Sequence, residues 1–107
     1  MRKNYGETAA NWWAEKIEEY NFGVEPNILD AFRKVLSMKI DNAVSKYAHI
    51  ELSSYKPGQY KKNFEILDNI ANSVGLNANI PNGYEMSIAY DTGICIYDAS
   101  GMLVPLK

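Results

Sequence analysis

The spacing of apolar residues changes from helical to extended along this chain. In the first part, apolar residues recur every three or four positions, which is the spacing of one face of an α-helix. In the last third they alternate with polar residues, as they do in a strand with one buried face. The pattern therefore predicts helices first and a strand meander last, with one strand and one helix between them.

The first predicted helix covers residues 8–20, with Thr8 as its N-cap. Its apolar stripe contains Ala10, Trp13, Ile17 and Tyr20. Adjacent helical residues point about 100° apart, so the neighbouring Trp12 is predicted to lie at the edge of the core rather than within it.

The second predicted helix begins after a break at residues 21–26 and reaches residue 47, with Asn27 as its N-cap. Its predicted buried stripe consists of Ile28, Phe32, Val35, Leu36, Ile40, Ala43, Val44 and Tyr47. Residues 49–55 then alternate in polarity, which predicts a strand that buries Ile50 and Leu52. A third helix is predicted over residues 59–74, and Gly75 is its expected C-cap.

The last third predicts a hairpin of two strands, residues 84–90 and 94–97, joined by a turn of Asp91, Thr92 and Gly93. In this register Tyr90 pairs with Ile94, and Ile88 pairs with Ile96. The opposite face then carries Ser87, Ala89, Cys95 and Tyr97. A short final strand over residues 102–106 is expected at a sheet edge, because Pro105 has no N–H to donate.

This order of elements predicts an α+β fold in a single domain of residues 1–107. Two N-terminal helices are followed by strand, helix, strand and strand, with the short last strand after them. Such elements form a small, mostly antiparallel sheet with helices on one face.

Charge is distributed unevenly along the chain. The net charge is −2 and the isoelectric point is about 5.3, which argues against nucleic acid as a direct partner. Residues 63–107 contain a single basic residue, Lys107, and the acids Glu65, Asp68, Glu85, Asp91 and Asp98. One interpretation is that these acids are solvated turns and helix faces; the other is an acidic surface that meets a basic partner.

No motif predicts catalysis, a metal site or a cofactor. His49 and Cys95 are the sole histidine and cysteine, and they are far apart in sequence. The glycines are scattered and match turns rather than a phosphate-binding loop. No apolar run reaches the roughly 20 residues of a membrane span, and the start lacks the pattern of a secretory signal. We therefore expect a non-enzymatic protein of the cytoplasm, without cofactor and without membrane contact.

The residues predicted to bind a partner are aromatic anchors and acids near them. Tyr and Trp are the residues that most often anchor protein interfaces. Tyr97 is expected on the sheet face that the helices leave open, and Trp12 at the edge of the first helix. The charged rim of this site is predicted to consist of Glu85, Asp91 and Asp98.

The segment of residues 5–16 resembles the start of a group of small proteins carried by phages, plasmids and conjugative elements of Firmicutes. Those proteins begin with Tyr-Gly-Glu-Thr-Ala-Ala, one variable residue, Trp-Trp-Ala, an acid and Lys, and this chain reads YGETAANWWAEK. A looser similarity covers Tyr55-Lys56-Pro57, the helix that ends near Gly75 and the closing hairpin. The chain departs from the group at residues 80–83, where the relatives carry a Pro-Trp-Lys run.

This resemblance implies a phage or mobile element as the setting. Small acidic proteins of such elements are often inhibitors of host defence, and anti-CRISPR proteins are the leading example. They generally act without catalysis, by occupying a nuclease surface. The resemblance therefore implies a protein of the host-cell cytoplasm that binds a host protein such as a CRISPR-associated nuclease and occludes its basic, nucleic-acid-binding surface.

Two other functions remain open at the level of sequence. One is a small-ligand-binding protein or minor enzyme, with a pocket between the first helix and the sheet lined by Trp12 and several tyrosines. The other is a self-associating structural protein, with Trp12 and the edge that contains Pro105 at a two-fold contact. The sequence does not determine the oligomeric state.

Overall fold

The computed structural model describes residues 5–54 and 64–105, which form an α+β fold of three helices and one antiparallel sheet. The elements are α1 (Tyr5–Tyr20), α2 (Pro26–Tyr47), β1 (His49–Ser53), α3 (Phe64–Ser73), β2 (Glu85–Ala89) and β3 (Gly93–Tyr97). The predicted fold class and the order of these elements are confirmed.

The start of α1 is set by a contact with α2. The helix begins at Tyr5, so Thr8 lies within it and is not its N-cap. The Gly6 N–H donates to Asp41 Oδ1 on α2 at 3.1 Å. A Cβ at position 6 would overlap the Ser37 carbonyl and the Asp41 carboxylate, so only glycine fits there.

The second helix begins at Pro26, with Glu25 as the N-cap residue, and the prediction of Asn27 was wrong. Proline suits the first helical position because its missing N–H would have no partner there and its φ is already helical. The buried face is Leu29, Phe32, Leu36, Ile40 and Val44. The predicted stripe was too wide, because Val35 and Tyr47 are 37% and 71% exposed, and it omitted Leu29.

The sheet has the order β1-β2-β3, with both strand pairs antiparallel. Ile50 lies opposite Ile88, and Leu52 lies opposite Met86. Met86 in turn pairs with Ile96. These side chains are buried with those of the helices in one hydrophobic core. The predicted inward positions of β1 are confirmed.

The hairpin pairs two residues away from the predicted register. Ala89 lies opposite Gly93, and Ile88 lies opposite Ile94. The turn therefore consists of residues 90–92, and Tyr90 is in the turn rather than opposite Ile94. A slip of two keeps every side chain on its predicted face, whereas a slip of one would exchange the faces. The Tyr5 hydroxyl donates to the Tyr90 carbonyl at 3.1 Å, which attaches this turn to the first residue of α1.

The helix α3 ends as predicted, at a glycine in the left-handed conformation. Gly75 has φ +75°. The Leu76 N–H donates to the Ala71 carbonyl at 2.8 Å, and the Gly75 N–H donates to the Asn72 carbonyl at 3.2 Å. This pair of bonds is a Schellman motif. Residues 59–63 of the predicted helix lie outside the described residues.

The predicted last strand is reduced to a single bridge between Tyr97 and Leu103. The Val104 N–H also donates to the Ile96 carbonyl at 2.8 Å. In this ladder the backbone nitrogens of residues 103 and 105 face away from β3, so Pro105 removes no bond to β3 and is tolerated at the open edge. Residue 106, the end of the prediction, lies outside the described residues.

Candidate binding surface

One end of the molecule collects aromatic and acidic side chains from three elements. Glu19 and Tyr20 in the last turn of α1 lie near Tyr84, which precedes β2, and near Asp98, which follows β3. Glu85 and Tyr97 are opposite each other in the sheet, on the face away from the core, since the neighbouring Met86 and Ile96 are buried. We define the tyrosine–acid end by its residues Glu19, Tyr20, Tyr84, Glu85, Tyr97 and Asp98.

Trp12 lies inside this end of the molecule and is only 7% exposed, so the prediction that it lies at the edge of the core rather than within it was wrong. Its ring makes edge-to-face contacts with Trp13, at 4.9 Å between centroids, and with Tyr84, at 5.3 Å. The Lys16 ammonium lies 5.5 Å from the centroid of the Trp12 ring. Tyr84 is far from Trp12 in sequence, so the helical pattern alone could not show that it covers this ring.

Trp13 is fully buried, as the sequence predicts. Among the described residues, its Nε1 is buried without a hydrogen-bond partner. Leaving such a donor unpaired costs about 1–3 kcal/mol, so Trp13 stabilises the core through its apolar contacts alone.

Tyr20 and Tyr84 form a polar contact at the edge of the core. The side chain of Tyr20, as a hydrogen-bonding neighbour, raises the pKa of Tyr84; burial and the negative charges of Asp98 and Glu19 act in the same direction. Tyr84 is therefore a neutral phenol at physiological pH. Tyr20 itself is 60% exposed, although the sequence placed it in the buried stripe. The difference arises because α1 ends at Tyr20 and its last turn lies at the rim of the core.

Asp98 holds the turn that follows β3. Its Oδ1 accepts hydrogen bonds from the Ser100 hydroxyl at 2.7 Å, the Ser100 N–H at 3.0 Å and the Met102 N–H at 3.0 Å. The bond from the Ser100 hydroxyl, followed by that from the Met102 N–H, lowers the pKa of the carboxyl. Asp98 is thus a fixed negative charge beside Tyr97.

The predicted acidic rim is divided between the two ends of the hairpin. Glu85 and Asp98 lie beside Tyr97, but Asp91 is in the turn at the far end of β2. At roughly 3.3 Å per residue, β2 alone separates these positions by about 13 Å. Their common charge in the sequence suggested one cluster, whereas their positions along the hairpin place them apart. The partner role of each of these residues stays a prediction.

Glu19, Tyr20 and Tyr84 were not among the predicted site residues. The local signal for part of this cluster was the spacing of Trp12, Lys16 and Glu19, which places neighbours on one helix face. In the structure the Lys16 Nζ lies 3.5 Å from Glu19 Oε1. No local sequence pattern could have predicted that Tyr84 belongs to this cluster, because its position depends on how β2 packs against α1.

In comparisons with family models, curated proteins and solved structures, no match to the chain was found.

One groove in the described part of the chain lies between α1 and α2. This groove has a volume of about 370 Å³ and is lined by Glu7, Ala10, Asn11, Asp30, Arg33, Lys34, Ser37 and Asp41. Arg33 is paired with Asp30 at 2.7 Å, and Asp41 accepts the Gly6 N–H. Where the ligand-binding hypothesis expected a pocket, between α1 and the sheet, the rings of Trp12 and Tyr84 are in contact.

Over residues 5–54 and 64–105, no group of three or more His, Cys, Asp or Glu residues is arranged to hold a metal ion. His49 Nε2 lies 3.5 Å from Glu51 Oε2 on an exposed part of β1, and Cys95 is a half-buried free thiol. None of the helices in the same part of the chain is both long enough and apolar enough to cross a bilayer.

Proposed function

We propose that this protein is a non-catalytic binding protein that uses the tyrosine–acid end to bind a basic surface of a partner protein. The observation that supports this most is that two exposed tyrosines and three acids lie at one end of the sheet. Tyr20 and Glu19 are near Tyr84 and Asp98, and Tyr97 is paired with Glu85 across the strands. Exposed tyrosines supply contact area at a low entropic cost, and the carboxylates steer a positively charged partner.

The charge of this end favours a protein over a nucleic acid. Phosphate recognition needs lysines or arginines that are available to the ligand. The basic residue that the structure places at this end is Lys16, and its ammonium is paired with Glu19. A basic protein surface is therefore the better match.

The partner that we propose is a host defence nuclease of the CRISPR type, in the cytoplasm of the host cell. Two observations support it: the resemblance of residues 5–16 to proteins of phages and mobile elements, and the negative charge of the tyrosine–acid end. The nucleic-acid channels of such nucleases are positively charged because they hold phosphates. An acidic protein that occupies such a channel would exclude the nucleic acid without any chemical step.

The first test is inhibition of target-DNA cleavage by purified, guide-loaded CRISPR nucleases. For a nuclease that is inhibited, the double variant Glu19→Gln, Glu85→Gln is expected to bind about tenfold more weakly and with a smaller dependence on salt. The matched control is the double variant Glu7→Gln, Asp91→Asn, which also removes two negative charges, from the opposite end of the molecule where the Tyr5 hydroxyl donates to the Tyr90 carbonyl. It is expected to bind as the wild type does.

Two results would contradict the proposal. If none of the tested nucleases is inhibited, the assignment of the partner fails. If Glu7→Gln, Asp91→Asn weakens binding as much as Glu19→Gln, Glu85→Gln does, the acids act through net charge, and the tyrosine–acid end is not the binding surface.

A further inference from the structure

The Lys16 ammonium is held by two aromatic rings and a carboxylate of the tyrosine–acid end. Its Nζ lies 5.5 Å from the centroid of Trp12 and 5.6 Å from that of Tyr84. Glu19 Oε1 is 3.5 Å from the same nitrogen. Two ring faces and an acid around one cation form an aromatic cage, the arrangement by which proteins recognise organic cations.

The present occupant of the cage shows which chemistry it accepts. Aromatic faces carry negative electrostatic potential and attract a cation. Glu19 adds a full negative charge, and Asp98 is near enough to act on Tyr84. The cage is therefore suited to a positively charged side chain, whether it belongs to this chain or to a partner.

Lys16 is held weakly enough to be replaced. The side chain of Glu19 is 60% exposed and that of Lys16 is 22% exposed, so the ion pair is open to solvent on the Glu19 side. Exposed ion pairs at this helical spacing contribute little to stability. The lysine side chain is also long and flexible, so it can turn towards solvent without a change in the helix.

We propose that this cage binds an arginine side chain of the basic partner surface, with Lys16 as the internal group that it displaces. This inference rests on the proposed function, because it names the residue type that the tyrosine–acid end recognises. A guanidinium group is planar and weakly hydrated, so it stacks on a ring and still donates to carboxylates. Trp12, which Lys16 covers in the free protein, then becomes an aromatic contact for the partner.

The cage can be tested without the partner. The probe is Nα-acetyl-arginine amide, titrated into the protein while the indole N–H signals of Trp12 and Trp13 are followed by NMR. The variant Lys16→Met removes the competing ammonium, and it is expected to bind the probe about tenfold more tightly than the wild type. The signal of Trp12 is expected to move, and that of Trp13 to stay nearly fixed. The matched control is Lys34→Met on α2, which also removes one positive charge and is expected to bind as the wild type does.

A second variant, Lys16→Gln, keeps a polar side chain at this position and is expected to give the same result. The inference is overturned if neither variant binds the probe more tightly than the wild type, or if Lys34→Met gains as much affinity. It is also overturned if Nα-acetyl-glutamine amide, which has no charge, gives the same shifts. Failure here leaves the salt-dependent binding of a partner untouched, whereas failure to inhibit any nuclease leaves this titration valid, so the two proposals fail separately.

Discussion

At the scale of single residues, Asp98 combines a structural and an electrostatic role. Its Oδ1 accepts the hydrogen bonds that hold residues 98–102 in their turn. The same bonds favour the charged form, so the carboxylate is ionised where the proposed partner would meet it. Because the turn positions both Asp98 and the segment that bridges to Tyr97, loss of this charge should affect the local structure as well as binding.

The first prediction at this scale concerns acid. The pKa of Asp98 is lowered in the folded protein, so its contribution to stability is present above the ordinary value of 3.8 and is lost as the pH falls through the lowered pKa. In an NMR titration, the amide signals of Ser100 and Met102 should move together, with a midpoint below 3.8. A midpoint at or above that value would show that these bonds do not favour the ionised carboxylate. Asp98→Asn should give the shifted signals at neutral pH.

At the scale of elements, α1 owes its position to small residues as much as to its tryptophans. Gly6, Ala9, Ala10 and Ala14 are buried along with Trp12, Trp13 and Ile17. Much of the segment of residues 5–16 therefore serves packing. Small side chains let the neighbouring helix approach closely, and the Gly6 N–H reaches Asp41 only because no Cβ intervenes.

This packing predicts a large loss of stability for one alanine substitution in the first turns of α1 and almost none for another. Gly6→Ala introduces a Cβ that overlaps α2, and it should lower the free energy of unfolding by about 1–3 kcal/mol. Thr8→Ala changes an exposed position within the helix, so it should change stability by less than about 0.5 kcal/mol. Thermal and urea unfolding of both variants would measure this. A loss of about 1 kcal/mol in Thr8→Ala would instead indicate that Thr8 caps the helix.

The elements also show what could be predicted from the sequence and what could not. Periodicity identified the helices and the strands, because a buried face requires apolar residues at a regular spacing along the chain. The predicted faces of the hairpin side chains were correct although the predicted register was wrong, because the register differs by two residues. The predicted caps of α1 and α2 and the predicted edge position of Trp12 were wrong. Asp41, Pro26 and Tyr84 act there through contacts or geometry that the apolar pattern does not encode.

At the scale of the whole molecule, negative charges gather at the tyrosine–acid end and exposed lysines lie on α2. The tyrosine–acid end contains Glu19, Glu85 and Asp98, while α2 carries the exposed residues Lys34, Lys39 and Lys46. Such a distribution orients the molecule before contact, because the acidic end is attracted to a positive surface and the face of α2 is repelled by it. Binding in one orientation is therefore expected even though the net charge is small.

The orientation of the bound protein is the central claim, and hydrogen–deuterium exchange tests it most directly. The protein alone is compared with the protein bound to the nuclease that the proposed cleavage test is expected to identify. Peptides that contain residues 19–21, 84–85 and 97–98 are predicted to exchange more slowly in the complex, while the turn of residues 90–92 and the exposed face of α2 exchange as before. Protection confined to that turn or to α2, with the tyrosine–acid end unchanged, would contradict the account.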